Sequence, residues 1–193
     1  MINTLAVFCG SHLGRNPRFL TAAQQLGSAV AAQRRTLVYG GSNLGYMGAV
    51  SSAALDGGAR VVSVIPTIFS DDVINSQPRA ETVLVASMQE RKSHMIALCD
   101  AFVALPGGIG TLDEVTEILM SNQLALCYKP VGILNIDGYF DPFIQQLYNM
   151  IDENLLSPDV RKTLFVDADP LRLLAKLDAF CPDSQPRIFP RRR

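Results

Sequence analysis

The sequence predicts an α/β fold, a doubly wound Rossmann-like parallel sheet flanked by helices on both faces. Short β-rich runs alternate with longer segments of helical periodicity along the chain. The short runs are nearly continuous in Val, Ile and Leu, which is typical of parallel strands covered on both faces. Glycine-rich junctions follow three of these runs. A ligand site is therefore expected at the carboxyl edge of the sheet, where the strand order reverses.

Seven runs are predicted as strands because they are short and rich in apolar and β-branched residues: 4–9, 36–40, 60–66, 81–86, 101–105, 129–135 and 163–168. Helices are predicted from apolar residues at helical spacing over these segments: about 17–34, 47–58, 88–99, a long helix after the glycine loop at 105–110, 139–153 and 170–180. The second helix should end at Gly57 and Gly58. The segment 67–80 is the longest stretch without a core pattern, and we expect it to form a mobile rim.

Length and composition indicate one domain. The 193 residues are 48% hydrophobic, so we expect a single Rossmann-like domain over 1–182 and a solvated basic tail over 183–193. A net charge of −1 provides no general attraction to nucleic acid. No apolar run approaches the roughly 20 residues of a membrane span, and the N-terminal stretch lacks the pattern of a signal peptide. The expectation is a cytoplasmic protein without nucleic-acid or membrane partners.

The cysteine and histidine spacing indicates neither a disulfide framework nor a metal site. The four cysteines are far apart, with no CxxC pair and no zinc-like spacing to His12 or His94. We interpret both histidines as ordinary surface or loop residues. Met88, Met95 and Met120 are interpreted as core residues.

The three glycine-rich junctions, 8–17, 39–48 and 105–114, should meet at one edge of the sheet. Glycines let backbone N–H groups approach a phosphate, and a helix N-terminus adds a favourable partial charge. No G-K-[ST] follows the third junction, which excludes a Walker A loop. The segment 40–45 lacks the second glycine of a dinucleotide fingerprint. A mononucleotide with one phosphate therefore fits these junctions better than NAD.

Two interpretations of Glu114 remain open from the spacing alone. Thr111 and Glu114 have the spacing of a capping box, and Asp113 and Glu114 would both suit the positive end of a helix. Alternatively, Glu114 is a catalytic carboxylate beside a phosphate. Arg91 likewise lies either on a solvated helix face or within reach of a phosphate or ribose. Lys92 must point about 100° away from Arg91 if both lie on one helix.

Six stretches together resemble the LONELY GUY (LOG) family, which is often labelled lysine decarboxylase-like. The stretches are "VFCGS" (7–11), "LVYGGSNLGYMGAV" (37–50), "VIP" (64–66), "MQERKSHM" (88–95), "ALPGGIGTLDEV" (104–115) and "KPVGILNIDGYFDP" (129–142). The family pattern P-G-G-x-G-T-x-x-E is met in full over 106–114. The resemblance covers about residues 4 to 178, and the combination of motifs is specific.

The resemblance implies a cytokinin riboside 5′-monophosphate phosphoribohydrolase. Such enzymes hydrolyse the N-glycosidic bond of an N6-modified AMP to the free base and ribose 5-phosphate. It also implies a homodimer that uses no cofactor and no metal. Arg91 and Glu114 match the catalytic pair of the family. The residues expected to bind substrate or its phosphate are Lys92, Gly107, Gly108, Ile109, Gly110, Thr111, Asp113, Gly10, Ser11, Gly41 and Ser42.

The chain departs from the family pattern at three positions. The family commonly has Gly-Ser-Ser after the first strand, where this chain has His12 in the third place. It commonly has Gly-Gly-Gly after the second strand, where this chain has Ser42. Asp113 replaces a glutamate, which preserves the charge. The first two departures lie in loops expected to border the base and ribose, so they bear on base preference.

The resemblance implies a mechanism of hydrolysis, and two other functions remain possible on the same fold. Glycoside hydrolysis passes through an oxocarbenium-like state, so Glu114 would stabilise that charge and position or deprotonate water. Arg91 would hold the ribose phosphate and assist the departing base, while Glu114 also caps its helix in the empty protein. One alternative is a non-catalytic nucleotide or nucleotide-cofactor carrier on the same fold. The other is a housekeeping nucleoside 5′-monophosphate hydrolase with the same chemistry. Nothing in the sequence resembles a pyridoxal-phosphate lysine site, so the decarboxylase label fits poorly.

Overall fold

The structure is a computed structural model that describes residues 2–69, 71–74 and 76–181, with only the backbone described at residues 73 and 74. The basic tail predicted over 183–193 lies outside the described residues. The prediction of a single domain over 1–182 stays a prediction.

Within this described part, seven parallel strands form one sheet in the order β4-β3-β2-β1-β5-β6-β7. Their bounds are β1 Thr4–Phe8, β2 Thr36–Tyr39, β3 Val61–Pro66, β4 Glu81–Val85, β5 Ala101–Ala104, β6 Val131–Leu134 and β7 Leu164–Asp167. The chain runs outward from β1 to β4, returns to the middle of the sheet at β5 and then runs outward to β7. The doubly wound fold is therefore confirmed, and the strand order reverses between β1 and β5.

Helices cover both faces of this sheet. Their bounds are α1 Pro17–Ala32, α2 Gly45–Asp56, α3 Asp71–Ile74, α4 Met88–Leu98, α5 Ile109–Gln123, α6 Asp141–Asp152, α7 Val160–Thr163 and α8 Pro170–Asp178, with a 3-10 turn at Ile136–Gly138. Helices α1, α2 and α8 bury apolar side chains on one face, and α4, α5 and α6 do so on the other. Strand β1 separates the two cores because Leu5 and Val7 enter the first core while Ala6 and Phe8 enter the second.

The starts of two helices differ from the sequence prediction, whereas α2 ends before Gly57 as predicted. Helix α2 begins at Gly45 and α5 at Ile109, each earlier than the apolar periodicity indicated. Within 67–80, a short helix α3 was not predicted. Ser76 is tied to the loop after β2, since its hydroxyl donates to the Gly41 carbonyl and its own carbonyl accepts from Asn43.

The methionine predictions are confirmed in part. Met95 is fully buried in the core beneath α4. The prediction was wrong for Met88 and Met120, because both side chains are substantially exposed. Helical spacing alone does not distinguish a core face from an apolar face that lies at a cavity or at the surface.

Candidate active site

The three glycine-rich junctions meet at the carboxyl ends of β1, β2 and β5. The parallel register pairs Phe8 with Ala104, so the loops that follow these two strands run side by side. The Gly10 N–H donates to the Pro106 carbonyl over 3.2 Å, and the Tyr46 N–H donates to the Gly10 carbonyl over 3.1 Å. Backbone hydrogen bonds thus connect the first loop to the start of α2 and to the loop before α5. The predicted convergence is confirmed.

A cavity of about 490 Å³ lies above this junction. Its volume falls within the range of small-molecule sites. Its walls come from the loop after β1, the starts of α2 and α5, the α4 side chains Met88 and Arg91, and Tyr139. The predicted site residues that line it are Gly10, Ser11, Arg91, Gly107, Gly108, Gly110, Thr111, Asp113 and Glu114.

A buried ion pair joins α4 to α5 at this cavity. The Arg91 Nη2 donates to Glu114 Oε1 over 3.0 Å, and only 7% of each side chain is exposed. Gly40 leaves the space for this guanidinium, since a Cβ at position 40 would lie 2.3 Å from Arg91 Nη2. The interpretation of Arg91 as part of a solvated helix face is wrong. The loop after β2 leaves room for the Arg91 guanidinium because residue 40 has no side chain.

The capping-box interpretation of Glu114 is also wrong. Helix α5 begins at Ile109 with Gly108 as its N-cap residue, which places Thr111 inside the first turn and not at the cap. Glu114 lies one turn further along and faces Arg91. Because Gly108 has no side chain to cap the helix, the first N–H groups of α5 remain as donors for a ligand.

Burial raises the pKa of Glu114 to about 7, and the nearby carboxylate of Asp113 acts in the same direction. The Arg91 guanidinium opposes the rise but does not cancel it. A carboxyl group that changes its charge near neutral pH is suited to proton transfer. Burial also raises the pKa of the Cys9 thiol, which lines the same cavity and therefore remains protonated.

Lys92 lies between the two helices and outside the cavity lining. Its Nζ lies 3.0 Å from Asp113 Oδ2 and 2.5 Å from Glu117 Oε2. Together with Arg91 and Glu114, these contacts hold α4 against α5. Adjacent residues on α4 reach the same partner helix because Arg91 contacts its buried side while Lys92 contacts its edge. The geometry supports a positioning contribution from Lys92.

The glycines of the loop before α5 serve two different purposes. A Cβ at Gly107 would lie 2.1 Å from Thr111 Oγ1, so the packing of the loop itself requires glycine there. Apart from its chain neighbours and the backbone of its own helix, a Cβ at Gly108 or Gly110 would meet no atom of the described chain within 4 Å, and neither residue has a positive φ. The protein's own packing does not require glycine at these two positions. They leave open space beside the free N–H groups at the helix N-terminus.

Three other predicted site residues do not line the cavity. Ile109 is 81% exposed at the first position of α5. Gly41 adopts a φ of +92° in the turn after β2, where a Cβ would lie 2.3 Å from Ile65 Cγ1. The Ser42 hydroxyl accepts the Leu44 N–H over 3.1 Å. Gly41 and Ser42 therefore shape the turn that leads into α2.

Several cavity residues were missed by the sequence reasoning: His12, Phe19, Tyr46, Met47, Met88 and Tyr139. His12, interpreted from the sequence as an ordinary surface or loop residue, is an exposed loop residue at the edge of the cavity, and its ring Nδ1 lies 3.1 Å from the Ser11 hydroxyl. The Tyr46 hydroxyl accepts the Gly14 N–H over 2.6 Å and so fixes the loop after β1. The position of Tyr46 and Tyr139 in the chain could have indicated their place at the cavity, because both lie within motifs that follow strand ends.

Among the residues that the structure describes, no cluster of three or more His, Cys, Asp or Glu side chains could hold a metal ion. In the same residues, no helix has both the length and the apolar character required to cross a bilayer.

Comparisons with known proteins identify relatives of this chain. The family model described as "Possible lysine decarboxylase" matches residues 47–177. The chain is 39% identical over 179 residues to cytokinin riboside 5′-monophosphate phosphoribohydrolase LOG7 of Arabidopsis thaliana, covering 93% of this chain and 82% of that protein. It is 38% identical over 179 residues to the phosphoribohydrolase LOG of Oryza sativa subsp. japonica, covering 93% and 74%.

A solved structure supports the fold alone. The molybdenum cofactor binding protein from Rippkaea orientalis superposes with a TM-score of 0.69 at 21% identity, covering 93% of this chain and 97% of that one. Identity at this level indicates a shared architecture.

The raised pKa of Glu114 predicts that stability falls as the pH rises. The folded state binds the Glu114 proton more tightly than the unfolded state, so the free energy of unfolding decreases between about pH 4.5 and pH 7. We expect a loss on the order of 2 kcal/mol from this group between pH 5 and pH 8, measured by urea denaturation. Glu114→Gln should reduce this pH dependence. An equal slope in the variant would contradict the assignment.

Proposed function

Because the chain belongs to the LOG family of cytokinin riboside 5′-monophosphate phosphoribohydrolases, we propose that its cavity cleaves the N-glycosidic bond of an N6-modified AMP. The products are the free base and ribose 5-phosphate. The observation that carries the proposal is the buried Arg91–Glu114 pair beside the open N-terminus of α5.

The 5′-phosphate binds at the start of α5. Unpaired N–H groups and the helix dipole favour an anion at this end of the helix. Gly108 and Gly110 leave room for phosphate oxygens to approach the backbone. Gly10 and Ser11 complete the wall on the side of β1.

Glu114 acts on the ribose. Hydrolysis at C1′ develops positive charge on the sugar and needs an activated water. An ionised Glu114 stabilises that charge and accepts a proton from the water, and its pKa of about 7 matches this role at neutral pH. Arg91 fixes the orientation of the carboxylate through Nη2. The Arg91 Nε is buried without a hydrogen-bond partner among the described residues, so the arginine retains a donor beyond the ion pair.

The alternative carrier function is disfavoured by the position of Glu114. A carrier of an anionic nucleotide gains no affinity from a buried carboxylate beside the phosphate site, because like charges repel. A carboxylate in this position does favour a reaction in which positive charge develops near it. The decarboxylase label remains unsupported, since no lysine is among the described residues that line the cavity.

We further propose that the chain forms a homodimer through the end of α5. Met120, Leu124 and Leu126 are 52%, 38% and 74% exposed, which places three large apolar side chains on one stretch of surface. Light scattering should give twice the monomer mass of 21.0 kDa. Met120→Lys should shift the mass toward the monomer, whereas the exposed Leu171→Lys on α8 serves as the control. A monomeric wild-type protein would contradict the dimer.

Replacement of Glu114 tests the reaction directly. Wild-type protein should release free base from AMP or from N6-isopentenyl-AMP, measured by chromatography. The ratio of the two rates gives the base preference. Glu114→Gln should lower kcat at least about a hundredfold, as expected for the loss of an acid–base group. It keeps the shape of the side chain and an acceptor for Arg91.

The control is Glu153→Gln, which neutralises an exposed carboxylate at the end of α6, outside the cavity lining. Its activity should remain within a few-fold of the wild type. Measurable AMP binding by the wild type without base release from either substrate would contradict hydrolysis of these substrates and support the carrier.

Gly110→Ala separates phosphate binding from folding. The added methyl group meets no protein atom within 4 Å, and alanine suits a helix better than glycine. The free energy of unfolding should stay equal or rise by up to about 1 kcal/mol. The KM for AMP should nevertheless rise at least about tenfold, because the methyl group occupies space beside the phosphate. Thr116→Ala, on the exposed side of α5, is the control, and an unchanged KM in Gly110→Ala would contradict this placement of the phosphate.

A further inference from the structure

Tyr139 lines the cavity and contacts the loop before α5. Its hydroxyl donates a hydrogen bond of 2.6 Å to the Gly107 carbonyl oxygen. We propose that Tyr139 is a positioning residue that sets the direction of the Gly108 N–H, one of the donors to the 5′-phosphate. The inference rests on the proposed function, which places the phosphate at the start of α5.

The planarity of the peptide unit connects the two groups. The Gly107 carbonyl and the Gly108 N–H belong to the same peptide plane, and in a trans unit they point in opposite directions. The described chain has no cis peptide bond. Holding the carbonyl oxygen on one side therefore holds the N–H on the other. Gly108 is the N-cap residue of α5, so its N–H lies among the donors that a helix N-terminus offers to an anion.

The glycine pair makes this peptide unit easy to rotate. Glycine residues on both sides of the unit accept a wider range of backbone angles than other residues. In the rotated unit the carbonyl oxygen, not the N–H, would face the phosphate and repel it. Neighbouring contacts do not prevent this, because the Gly10 N–H bonds to the Pro106 carbonyl, one unit earlier. The Tyr139 hydroxyl, in contrast, bonds to the carbonyl of the peptide unit between Gly107 and Gly108.

The aromatic ring that carries this hydroxyl is held in place before a ligand arrives. The Tyr139 ring packs edge-on against Phe19, with centroids 5.2 Å apart, and against Phe140 at 5.0 Å. The preceding residues Asp137 and Gly138 both have positive φ, at 53° and 71°. This is an uncommon backbone conformation for a residue such as Asp137.

Side-chain contacts secure that turn to the rest of the protein. The Asp137 carboxylate accepts a hydrogen bond from Asn16 Nδ2 over 2.8 Å and pairs with Arg18. The Asn135 Oδ1 accepts the Phe140 N–H over 2.8 Å. A strained and multiply bonded turn thus presents one hydroxyl to one carbonyl. A hydrogen bond at such a partly exposed site contributes little to stability, so we assign its main effect to the orientation of the loop.

Tyr139→Phe is the direct test, since it keeps the ring and removes only the hydroxyl. The dissociation constant of ribose 5-phosphate, measured by calorimetry, should rise at least about fivefold. The KM for AMP should rise by more than any change in kcat. Adenine, which has no phosphate, should bind as it does to the wild type. Tyr148→Phe, a tyrosine on α6 whose ring lies beneath Arg161, is the matched control.

The outcomes separate this inference from the proposed reaction. An unchanged dissociation constant for ribose 5-phosphate in Tyr139→Phe would overturn the inference and leave hydrolysis intact. Equal weakening of ribose 5-phosphate and adenine would also overturn it, because that result indicates general loss of structure. A wild-type protein that binds ribose 5-phosphate but releases no base would contradict the reaction while the binding test of Tyr139 still applies. Failure of the wild type to bind ribose 5-phosphate would overturn the phosphate site and this inference with it.

Discussion

The buried ion pair between Arg91 and Glu114 is the constraint on which the rest of the site depends. Two charged groups removed from water cost free energy that their mutual attraction repays only in good geometry. The protein meets this requirement by placing glycine at position 40 and by holding α4 against α5 through Lys92. The pair still leaves Glu114 with a raised pKa. The same burial that destabilises the two charges also raises the pKa of Glu114 into the range suited to proton transfer at neutral pH.

The topology of the sheet explains why this pair lies beside the N-terminus of α5. The order of the strands reverses between β1 and β5. The loop after β1 therefore leads to α1 on one face of the sheet, the loop after β5 leads to α5 on the other, and a crevice forms between the two loops. The N-terminus of α5 and the loop after β1 form its walls, and backbone hydrogen bonds hold those walls together. The proposed phosphate binding and hydrolysis therefore share one cavity.

Glycine has different physical meanings within this one site. Gly40, Gly107 and Gly41 are required by neighbouring protein atoms, since a Cβ at each would overlap a side chain. Gly108 and Gly110 meet no such limit, which is the feature expected where a ligand takes up the space. The same residue type in one motif thus satisfies the packing of the protein at some positions and, in the proposed function, leaves room for the substrate at others. In our proposal, the hydrogen bond from Tyr139 restricts rotation of the peptide unit between Gly107 and Gly108 and so keeps the Gly108 N–H directed at the phosphate.

The sequence by itself determined the α/β fold, the strand positions and the three converging junctions, because hydrophobic periodicity and glycine punctuation are local properties of the chain. It also placed Arg91 and Glu114 in motifs that resemble one family. It did not determine that Thr111 lies inside α5, because the capping spacing fits equally well one turn further along the helix. Nor did it reveal the contact of Tyr139 with Gly107 or the space that Gly40 leaves for Arg91. Those features join residues far apart in the chain, and only the packing of the helices on a common sheet decides which of them meet.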